Sequence, residues 1–433
     1  MFRTYYFSEM PYPHVPAFEF ADVIRVTMPS RWMDPDSTAD TYQKYFDLVQ
    51  AADDLGLDVM FNEHHQTLSN LNAGMPLSLA IAARDTKNCR ILALGNPVAN
   101  RPDPVRVAME MAMIDVISRG RLECGFIKGI FYELSATNAR PTDMLDRVFE
   151  AADLITKAWT SHDGPFNWEG EFFHHRQVSI IPRPYQQPHP PIWGTTTSVS
   201  STIPIAKRGY NMATIFIGTE ACKKVFSTYR DTYAQQFGKQ PHPDKLAYSA
   251  FLFVGDSDEE ALKEAPKIQD FLRQSFRVPR GSIDVPGYYD PHVRAVTLRK
   301  EAEQPGSVYN FDATGKASPE DLIKSGVGFY GSPDSVFEQM KALFHAVGGF
   351  GNFIGMCQGS TMSYELTAKS MRLYAEEVLP RFRKEVYEPW LKERGLSSML
   401  LPADDGGALP SSEFGHGDRA PALGGSALAE IRG

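Results

Sequence analysis

The sequence predicts an α/β protein built as a (β/α)8 barrel with insertions. Three observations carry that expectation. About eight strand-like segments alternate with helix-like ones over residues 1–385. The strands are continuous apolar runs, the pattern of strands covered on both faces and so of a parallel sheet. The chain has 433 residues and 42% hydrophobic content, ample for one large core. A doubly wound open sheet shares the local pattern, but eight units point to closure.

The elements follow in order. Phe2 to Ser8 opens as a strand, and the prolines of EMPYPHVPAF make the next stretch an irregular loop. From Thr38 to Leu55 the spacing is helical, with Tyr45, Leu48, Val49, Ala52 and Leu55 on one face and Gly56 as the stop. LDVMF is a short buried strand, Pro76 to Thr86 a helix, and RILALGNPV a strand. Val105, Ala108, Met109, Ala112, Met113 and Val116 form an apolar helical stripe ending at Gly120. RLECGF is the next strand, and Val148, Ala151, Ala152, Ile155 and Trp159 mark the next helix. PPIWG is a strand, with a helix beginning near Ser200, and MATIF and AYSAFLFVG are strands. DSDEEALKEA opens a helix with acids where the dipole favours them. SPDSVFEQMKALF, NFIGMC and YELTAKSMRLYAEEVL complete the series as helix, strand and helix.

Two stretches fall outside the repeat. Residues 161–191 read as a hairpin and loop insertion, and 272–325 as a long insertion, a candidate lid. Residues 396–433 are rich in Gly, Pro, Ala and Ser and are expected to be a disordered tail.

The formal net charge is −9 and no basic run occurs, which argues against nucleic acid or an anionic membrane as partner. Cys89, Cys124, Cys222 and Cys357 are far apart and form no CxxC, so they read as buried thiols in a reducing compartment. The N-terminus lacks a signal-peptide pattern and no apolar run approaches ~18 residues, so a cytoplasmic protein is expected.

FNEHHQ, residues 61–66, sets Glu63, His64 and His65 directly after an apolar strand. Neighbouring strand residues point to opposite sides, and no HExxH-like spacing supports zinc, so no metal site is expected. Two readings stay open on position alone. The histidines cap backbone at a polar strand end, or they handle protons at the barrel's C-terminal face, where catalytic groups gather. GVGFYG (326–331) matches G-x-G-x-x-G but follows a helical segment. It reads as loop glycines before a helix capped at Ser332. GTTTSVSST (194–202) is a hydroxyl-rich turn at a helix start, either plain capping or an anion site. Lys128 lies just past a strand end beside Gly129, as a solvated lysine or as a cation within reach of a phosphate.

FNEHHQT, ALGNPVANRPDPVRVAMEMAMIDVISRGRLECGFIKG and IPRPYQQPHPPIWGTTTSVSSTIPIAKRGY, in this order, resemble bacterial luciferase and the luciferase-like flavin monooxygenases. The closing YGSPDSVFEQMKALF, GNFIGMC and AEEVLP are similar to that family's last units, and the resemblance spans roughly residues 2–385. It implies a (β/α)8 barrel holding FMN at the C-terminal face of its strands. Reduced FMN would come from a separate NAD(P)H:flavin reductase and react with dioxygen to a flavin peroxide that oxygenates a small, largely apolar substrate. His64 matches the family's catalytic histidine, with Glu63 and His65 as its neighbours. Lys128, Thr197, Ser198 and Ser201 match phosphate-gripping positions, and Asn96 lies near where the chain presses on the flavin ring. Lys128 stands where luciferase has an arginine, Thr197 where it has a glutamate, and Ile127 where it has a reactive cysteine. These departures speak against light emission from a long-chain aldehyde. A homodimer is the family expectation. Tyr6, Met10 and Tyr12 are candidates for the substrate side. The rivals are a deazaflavin-dependent dehydrogenase of the same fold, a non-catalytic flavin-binding partner subunit, and a metal-dependent barrel hydrolase.

Overall fold

The computed structural model describes residues 1–397, apart from 15–24, 270–277, 279–281, 283–284, 304–310 and 360. Strands β1 (Arg3–Ser8), β2 (Asp58–Phe61), β3 (Ile91–Asn96), β4 (Leu122–Phe126), β7 (Ile192–Thr195), β8 (Asn211–Ala213), β9 (Leu246–Val254) and β11 (Asn352–Gln358) pair in parallel, and a β8–β9 pairing closes the ring. The barrel is therefore closed, and the open-sheet alternative falls away. The hairpin β5 (Phe166–Glu169) and β6 (His174–Val178) stands apart as an antiparallel pair.

Alternation along each strand divides the core into two layers. Tyr5, Phe7, Leu92, Leu94, Trp193, Phe251 and Ile354 share the barrel interior. Tyr6, Ile91, Ala93, Leu122, Cys124 and Phe353 belong to the cluster that includes the helices' buried faces. Strands covered on both faces must be apolar at every position, which is why they read as unbroken runs.

The helices follow the predicted segments, with limits set by local chemistry. Helix α1 (Pro35–Asp54) begins earlier than expected, because Asp34 caps it by accepting from Ser37 N at 2.7 Å and Pro35 suits its first turn. Helix α2 spans Met75–Asp85. Helix α3 (Pro104–Ser118) is capped by Asp103 and stops at Arg119 and Gly120, both with positive φ. Helix α4 covers Met144–Thr160, and α5 (Val199–Lys207) starts at its cap Ser198.

Three expectations change. GFYG forms the strand β10 (Gly328–Gly331), which pairs with the end of β9, rather than a loop. Phe329 and Tyr330 fill opposite layers, and the flanking glycines hid that alternation. Ser332 does cap the helix Pro333–Ala346. The helix Gly218–Phe237, between β8 and β9, was not anticipated. The closing helical run continues past residue 385 to Glu393. Within 272–325 the helices Pro291–Glu303, Phe311–Lys316 and Pro319–Ser325 occur. The expected tail, beyond Ser397, lies outside the described residues.

Candidate functional site

A cleft of about 870 Å3, counting its open mouth, sits where the barrel strands end. Most of its walls come from a strand's C-terminal end or the loop after it, with Ser249 and Ile354 from within β9 and β11. Phe7 and Glu9 follow β1, and Met60, Asn62, Glu63 and His64 follow β2. Leu94 and Gly95 end β3, Ile127, Ile130 and Tyr132 follow β4, and Thr195, Thr214 and Ser249 add hydroxyls. Strand C-termini are where barrel enzymes place their chemistry.

Strand β2 stops at Phe61, so His64 and His65 lie past the pleat that would separate them. Both rings turn to one acid, Glu133, in the loop after β4. Glu133 Oε1 lies 2.8 Å from His64 Nδ1 and accepts His65 N at 3.1 Å, and Oε2 lies 3.1 Å from His65 Nδ1. The second carboxylate, Glu63, lies 3.1 Å from His65 Nε2. It also accepts Arg101 at 2.8 Å on each oxygen and Met75 N, at the start of α2, at 2.9 Å. A helix N-terminus favours that negative charge.

Ionised carboxylates only accept, so the hydrogens on these imidazoles are assigned by their partners. His65 faces a carboxylate from each ring nitrogen and is held as an imidazolium. The bonds to Glu133 and Glu63 outweigh burial and raise its pKa to about 9. Burial pushes Glu133 up, but the charges and hydrogen bonds of His64 and His65 prevail and hold it at about 2. His64 Nδ1 donates to Glu133, which leaves the opposite ring nitrogen, Nε2, outside that bond. Among the described residues Nε2 has no hydrogen-bond partner, and the His64 ring lines the cleft. The three adjacent residues thus divide their tasks. His64 can exchange a proton with the cleft, while His65 and Glu63 are an ion-paired frame behind it.

The other predicted positions are less uniformly placed. Asn96 is buried and accepts from Arg101 Nε at 3.0 Å. It does not line the cleft. Its neighbours Leu94 and Gly95 do, and a Cβ on Gly95 would overlap the Ile127 side chain. Lys128 Nζ donates to the Tyr288 carbonyl at 3.2 Å and sits 3.6 Å from the centre of the Tyr288 ring. Burial lowers its pKa to about 8. Ser198 Oγ accepts Ser201 N at 3.3 Å and donates to Ser201 Oγ at 3.1 Å, with Ser200 Oγ at 3.3 Å. Thr197 is exposed, whereas Thr196 forms the turn by accepting from Ser198 N at 3.1 Å. Tyr6, Met10 and Tyr12 are buried in the outer core cluster and do not line the cleft.

Glu133 escaped sequence reading. It is separated from the histidines by nearly seventy residues, and its only local signal is an acid after the aromatic pair Phe131–Tyr132. Arg25, Glu9 and Arg101 were missed for the same reason.

An apolar cleft on a barrel's C-terminal rim, with a carboxylate-oriented histidine at its wall, defines an α/β-barrel enzyme with acid–base capacity. The chain belongs to the luciferase-like monooxygenase family, whose model matches residues 23–349. It is 26% identical to the oxygenase component of the flavin-dependent trigonelline monooxygenase of Acinetobacter baylyi, covering 81% of this chain and 93% of that protein. Its fold is similar to the oxygenating constituent of 3,6-diketocamphane monooxygenase from Pseudomonas putida, solved with FMN (TM-score 0.66, 22% identity, 88% and 98% of the two chains). The F420-dependent tetrahydromethanopterin reductase of Methanopyrus kandleri shares the fold at TM-score 0.58 and 14% identity, over 88% and 99%. Among the described residues no helix is long and apolar enough to cross a membrane.

Proposed function

We propose that this chain is the oxygenase of a two-component flavin monooxygenase, using reduced FMN and dioxygen on a small, largely apolar organic substrate. The observation that carries the reading is His64, which lines the cleft with Nε2 unpartnered among the described residues and Nδ1 fixed by Glu133. The cleft suits a flavin. Gly95 leaves one wall flat, and the buried Thr214 Oγ1 lines the cleft without a partner among the described residues. Thr195 ends β7 three residues before the Ser198 cap, so the cleft runs toward the hydroxyl cluster of α5. Ser198, Ser201 and Thr197 at that helix start, with Lys128, would hold the phosphate.

When bound, reduced FMN supplies the electrons that activate dioxygen. The protein's residues do the rest. The apolar wall excludes water, and His64 Nε2 accepts or returns a proton at the reacting centre. Glu133 keeps that nitrogen aimed, and Glu63, His65 and Arg101 hold Glu133's neighbours in place. The relative's designation as an oxygenase component supports a separate NAD(P)H:flavin reductase as partner. Leu77 and Ile81 on α2 and Met113, Val116 and Ile117 on α3 are exposed, an apolar surface that supports a homodimer.

The test is anaerobic mixing with reduced FMN followed by admission of dioxygen. Flavin reoxidation slower than in buffer supports the oxygenase. Reoxidation at the free rate sinks it and turns attention to a deazaflavin cofactor or a silent partner subunit.

A further inference from the structure

Arg25 is a buried cation with no task in the chemistry above. It is 1% exposed, lines the cleft, and no carboxylate pairs with it among the described residues. A guanidinium has five N–H donors and keeps its proton under all ordinary conditions. One donates to the Tyr132 hydroxyl and another to Ser69 Oγ at 2.7 Å. Nε is buried without a partner among the described residues. Neutral hydroxyls orient the group but do not neutralise it, and an uncompensated buried charge is costly.

The backbone at Arg25 is anchored to the loop after β2. Arg25 bridges Thr67 in antiparallel fashion, and Val26 N donates to Gln66 O at 2.8 Å. Thr67 Oγ1 lies 2.8 Å from Ser69 Oγ, and the guanidinium stands 4.8 Å from the centre of the Tyr132 ring. His64 lines the same cleft, as do apolar side chains including Phe7, Met60, Ile130 and Ile354. Glu9 is there too, its Oε2 taken by Asn62 at 2.9 Å and Asn70 at 2.6 Å.

We propose that the cleft selects a small substrate bearing a single carboxylate, held by Arg25 with Ser69 and Tyr132 while its hydrocarbon body rests on the apolar wall. The reaction it undergoes rests on the oxygenase reading; the binding does not. A carboxylate matches the planar fork of the guanidinium and pairs with it directly, which Glu9, tied to Asn62 and Asn70, does not do among the described residues. Glu9 in the same cleft repels a second anionic group and so sets the limit of one. The competing source of an oxyanion is the phosphate of FMN.

The probes are benzoate and benzamide, equal in shape and different in charge. Their binding to the full-length protein is measured by titration calorimetry, with and without saturating oxidised FMN. Benzoate is expected to bind at least about tenfold more tightly than benzamide. Arg25→Met removes that preference and leaves FMN affinity within about threefold, and Arg25→Lys keeps only part of it. Equal binding of the two probes, binding of neither, or a preference that survives Arg25→Met overturns the proposal. A loss of FMN affinity in Arg25→Met with no benzoate preference in the native protein assigns the cation to the cofactor phosphate and also overturns it. If Arg25→Met does not fold by circular dichroism, Arg25→Lys decides, because an undiminished benzoate preference in that variant refutes bidentate recognition. Failure of the oxygenase reading appears separately, as reoxidation of FMN at the free rate with benzoate selectivity intact.

Discussion

Replacing Glu133 by glutamine separates the orienting role of this acid from simple space filling. The side chain keeps its shape but loses its charge and half its accepting capacity, and it currently serves His64 Nδ1, His65 N and His65 Nδ1 at 2.8–3.1 Å. Charge-assisted bonds contribute about 1.5–3 kcal/mol each, and some are retained by the amide oxygen, so a net loss of about 2–3 kcal/mol is expected. His65 keeps only Glu63 as a carboxylate partner and titrates below its present value of about 9. His64 loses the acid that fixes Nδ1, and carboxylates that orient a histidine in the same way at metal sites are worth about 10–100-fold. The assay follows oxygenated product from a responsive substrate at saturating reduced FMN, with FMN affinity measured separately. Product formation should fall about 10–100-fold with FMN affinity within about threefold. Imidazole nitrogen NMR supplies a readout that a packing defect would not move, with Nδ1 of His64 protonated in the native protein and mixed tautomers in the variant. Activity within threefold of native, or an unchanged tautomer, would refute the assignment of Glu133 as a positioning residue.

His64→Ala should lower product formation by about 10²–10⁴-fold with FMN still bound; a fully active variant removes the proton-transfer role. Stability should depend on pH through the same cluster. The His65 pKa is raised from 6.5 to about 9, so its contribution is complete below pH 6.5 and lost as pH rises through 9. Glu133 is depressed from 4.5 to about 2, so its contribution is present above pH 4.5 and lost as pH falls through 2. Urea midpoints that stay flat from pH 6.5 to 9 would contradict the imidazolium assignment. Gly95→Ala drives a methyl into Ile127, which is stiff at χ1, and should cost about 1–3 kcal/mol and weaken FMN binding; tolerance of the methyl in both measurements would show that the wall is not in contact with the cofactor.

Period, punctuation and composition were legible in the chain itself. Apolar strands such as RILALG and LECGF, the helix capped by Ser332 and the stop at Gly120 are decided by local residues, because burial on two faces and capping of N–H groups act over a few positions, whereas the start of α1 at its Asp34 cap was not read. The neighbourhood of Glu63, His64 and His65 could be singled out because strand ends gather at one face of a barrel. The division of work among them could not. It depends on Glu133, brought by the β4 loop, and on Arg101, brought by the β3 loop, and these partners decide which histidine is bracketed by two carboxylates and which keeps a ring nitrogen unpartnered among the described residues. The same holds for Arg25, which has no carboxylate partner among the described residues although it lines the cleft. Short-range chemistry therefore determined the elements. Closure of the barrel decided the site, because protonation and charge compensation depend on distances of about 3 Å between residues that the chain holds far apart.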